Sequence, residues 1–258
     1  MIPHHLVDGP ADAETIVFSN SLGTTLGMWR PQVEAFSAHY RVVRYDTRGH
    51  GRTRFGGSPF GIDDLADDVA DLLDHLDTER AHLVGVSLGG ATVLDFAARH
   101  PDRTLTVTAL CTAARIATPA YWADRVRLVR TGGLPPLAPA AMERWFTADF
   151  RAAHPEVVKR FRADFAGGDP LGYTACCRAI AETDLQGRLG AIRAPVLVMY
   201  GTEDTITTAD DAEALRQGIR GCETAAIEGA KHLAPTEQAD FVNRRIAEHL
   251  RKAPHGPQ

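Results

Sequence analysis

The sequence predicts an α/β fold: a mostly parallel central sheet, helices on both faces and one inserted helical segment. Three observations predict it. Short apolar runs rich in β-branched residues alternate with helical patterns through residues 15–110 and again through 195–251. Between them, residues 118–184 carry several helix-like segments and no strand. Finally, the run 81–86, AHLVGV, passes through Gly85-Val86-Ser87-Leu88-Gly89 straight into a helical pattern. That is G-x-S-x-G in the strand–turn–helix setting that gives the motif its meaning.

Taken in order, residues 15–19 (TIVFS) read as a strand and Asn20 to Thr25 as a loop. Residues 28–39 read as a helix, with Trp29, Val33 and Phe36 at helical spacing, and 41–45 (RVVRY) as the next strand. In the turn that follows, DTRGHG, Asp46 and Arg48 are expected to pair with each other and fix the backbone; a catalytic role is the alternative. Residues 62–77 place Ile62, Leu65, Val69, Leu72, Leu73 and Leu76 on one stripe, the mark of an amphipathic helix. The strand and helix around Ser87 come next, then strand 104–110. Helices in the insertion start near Pro119, Ala138, Pro155 and Asp169, separated by Gly-Gly and Pro-Pro pairs. Trp122 and Trp145 fall within it, Trp145 read as packing the insertion's own core. Strand 195–200, helix 208–219, strand 223–227 and helix 236–251 complete the pattern, with Phe241, Val242, Ile246 and Leu250 inward. The tail APHGPQ is expected to be loose. The core is therefore 1–117 with 186–258, and 118–185 is a lid.

Composition narrows the function classes. At 258 residues the chain suits one domain that buries about 70–75% of its unfolded surface and needs no staples. Twenty-eight basic against 33 acidic residues, net −5, give a nucleic-acid partner no electrostatic support. No apolar run approaches membrane length, and MIPHHLVDGPADAE lacks a charged-then-apolar signal pattern. Cys111, Cys176, Cys177 and Cys222 lack metal spacing, so reduced thiols in a cytoplasm are expected.

The chemistry gathers on Ser87. A sharp turn there needs small neighbours, which Gly85, Gly89 and Gly90 supply, and it sets the hydroxyl over a helix N-terminus that favours negative charge. A serine hydroxyl needs a base held by a third group, in the chain order Ser, acid, His. His232, in the loop after the last strand, is placed to be that base; His249 lies inside a helix and His255 in the tail. Residues 104–118 contain no acid, whereas the next strand ends in Gly201-Thr202-Glu203-Asp204. Asp204 has the usual spacing, with Glu203 as runner-up. Two N–H groups should receive an oxyanion: that of Leu88, after the nucleophile, and that of Leu22 in the Asn20-Ser21-Leu22 loop, where Ser21 or Asn20 could add a side-chain donor. No metal or organic cofactor is needed for such chemistry.

Several stretches together resemble one family. SNSLGTTLGMWRPQ, YDTRGHGRT, VGVSLGG, CTAARIATPAYWADRV, ERWFTADF, GYTACCRAIAETDL, APVLVMYGTEDTIT and AKHLAPTEQADF are similar to the 3-oxoadipate enol-lactone hydrolases, α/β-hydrolases of the protocatechuate and catechol branches of aromatic degradation. The resemblance implies the α/β-hydrolase fold, Ser87, Asp204 and His232 at the triad positions, and a small anionic lactone as substrate. Two positions depart from the family's pattern: Ala234-Pro235 where Ser-Asn is common, and Ala239 where Pro is common. An anionic substrate needs a cationic anchor. PAYWADRVRLVR offers Arg125, Arg127 and Arg130 beside Trp122, and Arg125 with Trp122 as apolar wall is the pairing chosen; a solvated face is the alternative.

Overall fold

A computed structural model describes residues 1–253. The expected loose tail and His255 therefore lie, apart from Ala253, outside the described residues. Seven strands form one sheet: β1 (His5–Asp8), β2 (Thr15–Ser19), β3 (Arg41–Tyr45), β4 (Ala81–Val86), β5 (Thr104–Leu110), β6 (Val196–Gly201) and β7 (Glu223–Ile227). Their order is β1-β3-β2-β4-β5-β6-β7. Only β1 runs antiparallel; every other pairing is parallel, as in Ser19 opposite Gly85 and Val86 opposite Leu110. All residues of β2, β4 and β5 are buried. Successive side chains point to opposite faces, so both faces are covered, and β5 buries Thr104, Thr106 and Thr108 among its apolar residues.

The core helices are α1 (Arg30–Phe36), α2 (Ile62–His75) and α3 (Leu88–Arg99) before the insertion. The stripe of α2 is buried from Ile62 to Leu73, and the helix opens with the Asp64 carboxylate accepting the Gly61 N–H at 2.9 Å. Between β5 and β6 lie five helices and no strand: α4 (Pro119–Gly132), α5 (Ala138–Trp145), α6 (Ala148–Ala153), α7 (Pro155–Ala166) and α8 (Pro170–Glu182). Thr118, Thr147 and Asp169 each accept an N–H of the turn they start, and α4, α7 and α8 carry proline in the first turn. After β6 come α9 (Ala209–Gly218), then α10 (Ala234–Glu237) and α11 (Ala239–Leu250) beyond β7.

The structure departs from expectation at named places. Strand β1 was not foreseen: it is a four-residue edge whose Leu6 and Val7 are exposed, so it carries no burial pattern to read. The first helix is split, a 3₁₀ turn at Leu26–Trp29 preceding α1. The last helix breaks at Gln238, whose backbone is not helical; Phe241 packs against the core but stays half-buried. The short α6 also went unforeseen.

Asp46 and Arg48 do not pair with each other. Asp46 accepts the Leu26 N–H (2.8 Å) and the Arg52 N–H (2.9 Å) and meets His4, whereas Arg48 pairs with Asp68. Both carboxylates are buried, and each is met by donors from another segment: Asp46 by the Leu26 N–H of the loop after β2, and Asp68 of α2 by Arg48.

Candidate active site

Ser87 sits at the carboxyl end of β4, between strand and helix, at φ 57° and ψ −115°. Side chains seldom adopt that region, and the surroundings hold it there. The Ser87 N–H donates to Leu110 O at 2.9 Å, and its carbonyl accepts from Ala91 N–H and Thr112 Oγ1. A Cβ at Gly89 would lie 2.1 Å from Ser19 O, and one at Gly90 2.6 Å from Thr112 Cβ. Those contacts are why the elbow needs its glycines.

His232 follows β7, and Asp204 follows β6. The His232 Nδ1–H donates to Asp204 Oδ2 at 2.7 Å. Asp204 also accepts from Thr207 Oγ1 (2.7 Å) and from the Ile206 N–H (2.8 Å). Burial pushes the Asp204 carboxyl up, but His232, Thr207 and the Ile206 N–H outweigh it, and the group is held below the ordinary carboxylate range. An ionised Asp204 keeps the proton on Nδ1, which leaves Nε2 a base. Glu203 is exposed, and its N–H ties the loop to Ala230 O instead. His249 is buried in α11, its Nε2–H donating to Val107 O and Pro195 O.

The loop after β2 brings Ser21 and Leu22 to the cavity that Ser87 and His232 also line. The Asn20 side chain is held away from the cavity, which it does not line: its Nδ2 donates to Tyr45 O and its Oδ1 accepts from Trp29 Nε1. The loop is pinned from outside by His50, whose Nε2 accepts the Gly23 N–H at 2.9 Å while Nδ1–H donates to Arg48 O. Burial lowers the His50 pKa, which favours the neutral ring that this geometry requires. Among the described residues, neither the Leu22 nor the Leu88 N–H is taken by a protein acceptor.

The cavity and the solvent at its mouth together span about 410 Å³, and its far wall comes from the insertion: Tyr121, Trp122, Arg125, Arg144, Trp145 and Tyr173. Trp145 thus faces the cavity as well as packing on Phe161 and Phe165, so it is more than insertion core. The Trp122 Nε1–H donates to Ile116 O. Arg125 is 8% exposed; it donates to Tyr121 OH at 2.9 Å and lies 5.5 Å from that ring's centre. Arg127 and Arg130 are exposed, Arg127 paired with Asp124. Arg144, Tyr121 and Tyr173 were not foreseen. Burial, and then the charge of Arg125, lower the Arg144 pKa. No acid lines the cavity, and among the described residues neither arginine has a carboxylate partner.

The alpha/beta hydrolase fold family matches residues 14–239. The chain is 41% identical over 238 residues to 3-oxoadipate enol-lactonase 2 of Acinetobacter baylyi, which covers 92% of this chain and 89% of that protein. It is 38% identical over 234 residues to 3-oxoadipate enol-lactonase 1 of the same organism, covering 91% and 87%. The crystal structure of the enol-lactonase from Burkholderia xenovorans LB400 superposes with a TM-score of 0.94, at 41% identity over 96% of each chain. The chain belongs to the 3-oxoadipate enol-lactonase family of α/β hydrolases.

Against that family's usual pattern, Ala234-Pro235 opens the short α10 directly behind His232, and Ala234 is fully buried. Pro235 O accepts from Gln32 Nε2 at 2.9 Å. The histidine loop is braced on its other side too. Leu233 N–H donates to Trp145 O (3.1 Å), Lys231 Nζ to Glu143 O (2.9 Å), and Glu237 accepts both the Lys231 and the Thr147 N–H. Arg144 therefore rides on a segment stitched to the loop that carries His232. In sequence its one signal is a basic residue beside a tryptophan in ERWF.

Proposed function

We propose that this chain opens the ring of 3-oxoadipate enol-lactone to give 3-oxoadipate in aromatic-compound catabolism, as a carboxylic ester hydrolase working through a serine acyl-enzyme. One observation carries the reading: a strained serine and an Asp-held histidine share a cavity with two arginines that, among the described residues, lack acidic partners. The names of the curated relatives support the same substrate.

Ser87 Oγ attacks the ring carbonyl, and its proton passes to His232 Nε2. The negative oxygen settles on the N–H groups of Leu22 and Leu88; losing one such donor costs about 10²–10³ in turnover. The ring C–O bond breaks, and the leaving oxygen departs as an enol that becomes a ketone. His232 then takes a proton from water, which releases the acyl group. Asp204 holds the tautomer and stabilises the imidazolium. Ser21 borders the reacting end, Trp122 forms an apolar wall, and Arg125 grips the substrate's free carboxylate with its planar fork.

Residues 118–185 act as a lid over a core of 1–117 and 186–258. Among the described residues no helix is long and apolar enough to cross a membrane. The four free thiols suit a reducing cytoplasm. The test is steady-state hydrolysis of the authentic enol-lactone beside saturated lactones and neutral nitrophenyl esters. Preference for the enol-lactone by kcat/KM is expected; a better rate on neutral esters than on the anion would overturn it.

A further inference from the structure

Two guanidiniums face one cavity with ten N–H donors between them, and the only protein hydrogen bond that either makes among the described residues is Arg125 to Tyr121 OH. Placing two like charges side by side in a half-dry pocket is costly unless the occupant brings negative charge to both. The proposed substrate has one carboxylate, which satisfies one arginine. In the proposed mechanism the tetrahedral oxygen goes to the backbone N–H groups of Leu22 and Leu88, not to the arginines. One further negative charge arises in the reaction: that on the ring oxygen as it leaves. In an enol-lactone with an acetate arm, this oxygen and the carboxylate are borne on adjacent carbons, so two neighbouring guanidiniums can meet both.

The position of Arg144 decides which arginine meets which oxygen. A leaving oxygen must lie on the His232 side, because the imidazolium returns the proton there. Arg144 is the arginine whose backbone is tied to that side: the carbonyls of Glu143 and Trp145, its two chain neighbours, accept from Lys231 Nζ and the Leu233 N–H, which flank His232. Arg125 belongs to α4, against Tyr121 and away from this stitching.

We propose that Arg144 is a catalytic residue that stabilises the departing enolate oxygen, while Arg125 holds the carboxylate; this rests on the substrate reading above. In the step, the Ser87 Oγ–C bond is already formed. The ring C–O bond breaks, and its electron pair stays on oxygen as an enolate against the Arg144 N–H groups. His232 delivers to it the proton taken from Ser87. The enol then moves that proton to carbon, giving the ketone. The consequence is a site tuned to leaving oxygens that carry charge.

The experiment compares Arg144→Gln, Arg144→Lys and Arg125→Gln on two kinds of substrate. On the enol-lactone, Arg144→Gln should lower kcat about 10²-fold with little change in KM, the size seen when one donor to a developing oxyanion is lost. Arg125→Gln should act mainly on KM. The second kind is a series of aryl acetates from 4-nitrophenyl to unsubstituted phenyl, which carry no carboxylate. Their kcat/KM reports acylation. Arg144→Gln should make it fall more steeply as the leaving phenol becomes more basic, Arg144→Lys should lie between, and Arg125→Gln should keep the wild-type slope. Circular dichroism and melting curves check folding, and the lysine variant carries the slope test if the glutamine variant fails to fold. An unchanged slope, with a loss confined to KM, overturns the assignment. The substrate reading is judged separately: if wild type does not turn over the lactone but the slope steepens in Arg144→Gln, the substrate falls and Arg144's role stands.

Discussion

Around the sheet, buried charges come with partners. Asp204 holds His232, Asp68 holds Arg48, and Asp95 meets Arg188. In the helical insertion, Arg125 and Arg144 line a cavity with no acid in its wall among the described residues. The sheet-borne pairs are closed circuits that fix geometry. The insertion's arginines are an open one, completed by what binds. A buried charge left without a protein partner is a better pointer to ligand chemistry than one already paired, because its desolvation must be offset by something.

Breaking the sheet-borne half should cost most. Ser87→Ala is expected to lower turnover by about 10⁴–10⁶ while the protein stays folded, measured by kcat and by thermal melting. Retention of a tenth of the activity in a clean preparation would remove Ser87 as nucleophile. Next in size is the orienting acid. Asp204→Asn should cost about 10⁴ in kcat, because the wrong tautomer is then favoured. Glu203→Gln, at an exposed side chain, should cost less than tenfold by the same assay, in keeping with surface substitutions. The reverse order would exchange their roles.

A third prediction separates stability from catalysis within the core. His249 of α11 is buried against β5, and burial lowers its pKa from 6.5 to about 4. Between those values the unfolded chain binds a proton that the folded one refuses. Stability should therefore rise with pH from about 4 to 6.5, by at most about 3 kcal/mol, and be level with respect to this group above that. Chemical denaturation across this range checks it: His249→Gln should flatten the slope while leaving KM alone. An unchanged slope in the variant would assign the pH dependence to other groups.

The two halves also differ in how much of them can be read without coordinates. Gly85, Gly89 and Gly90 announce Ser87 because the tight elbow excludes a Cβ at positions set by local geometry. Asp204 and His232 follow from strand ends, which chain order places. The insertion offers no such ruler. Arg144 enters the proposal because Trp145 O meets Leu233 N–H across 88 residues, a contact that no local pattern announces. The same limit explains Asp46, which reaches back 20 residues to Leu26 N–H rather than two forward to Arg48. Asn20 has the chemistry of an oxyanion donor but is consumed by Trp29 and Tyr45. Edge strand β1 is hidden for a simpler reason: Leu6 and Val7 are exposed, so burial leaves no alternation.

The proposed division between a sheet that does chemistry and an insertion that reads charge is tested most directly on Arg125. Measure kcat/KM for the anionic enol-lactone and for neutral 4-nitrophenyl acetate, in wild type and in Arg125→Ala. A charge-assisted hydrogen bond is worth about 1.5–3 kcal/mol, or about 10–150-fold. The ratio of the two substrates should fall by that factor, through loss on the lactone alone. Equal losses on both would mean that Arg125 only holds the insertion together, and would contradict the division.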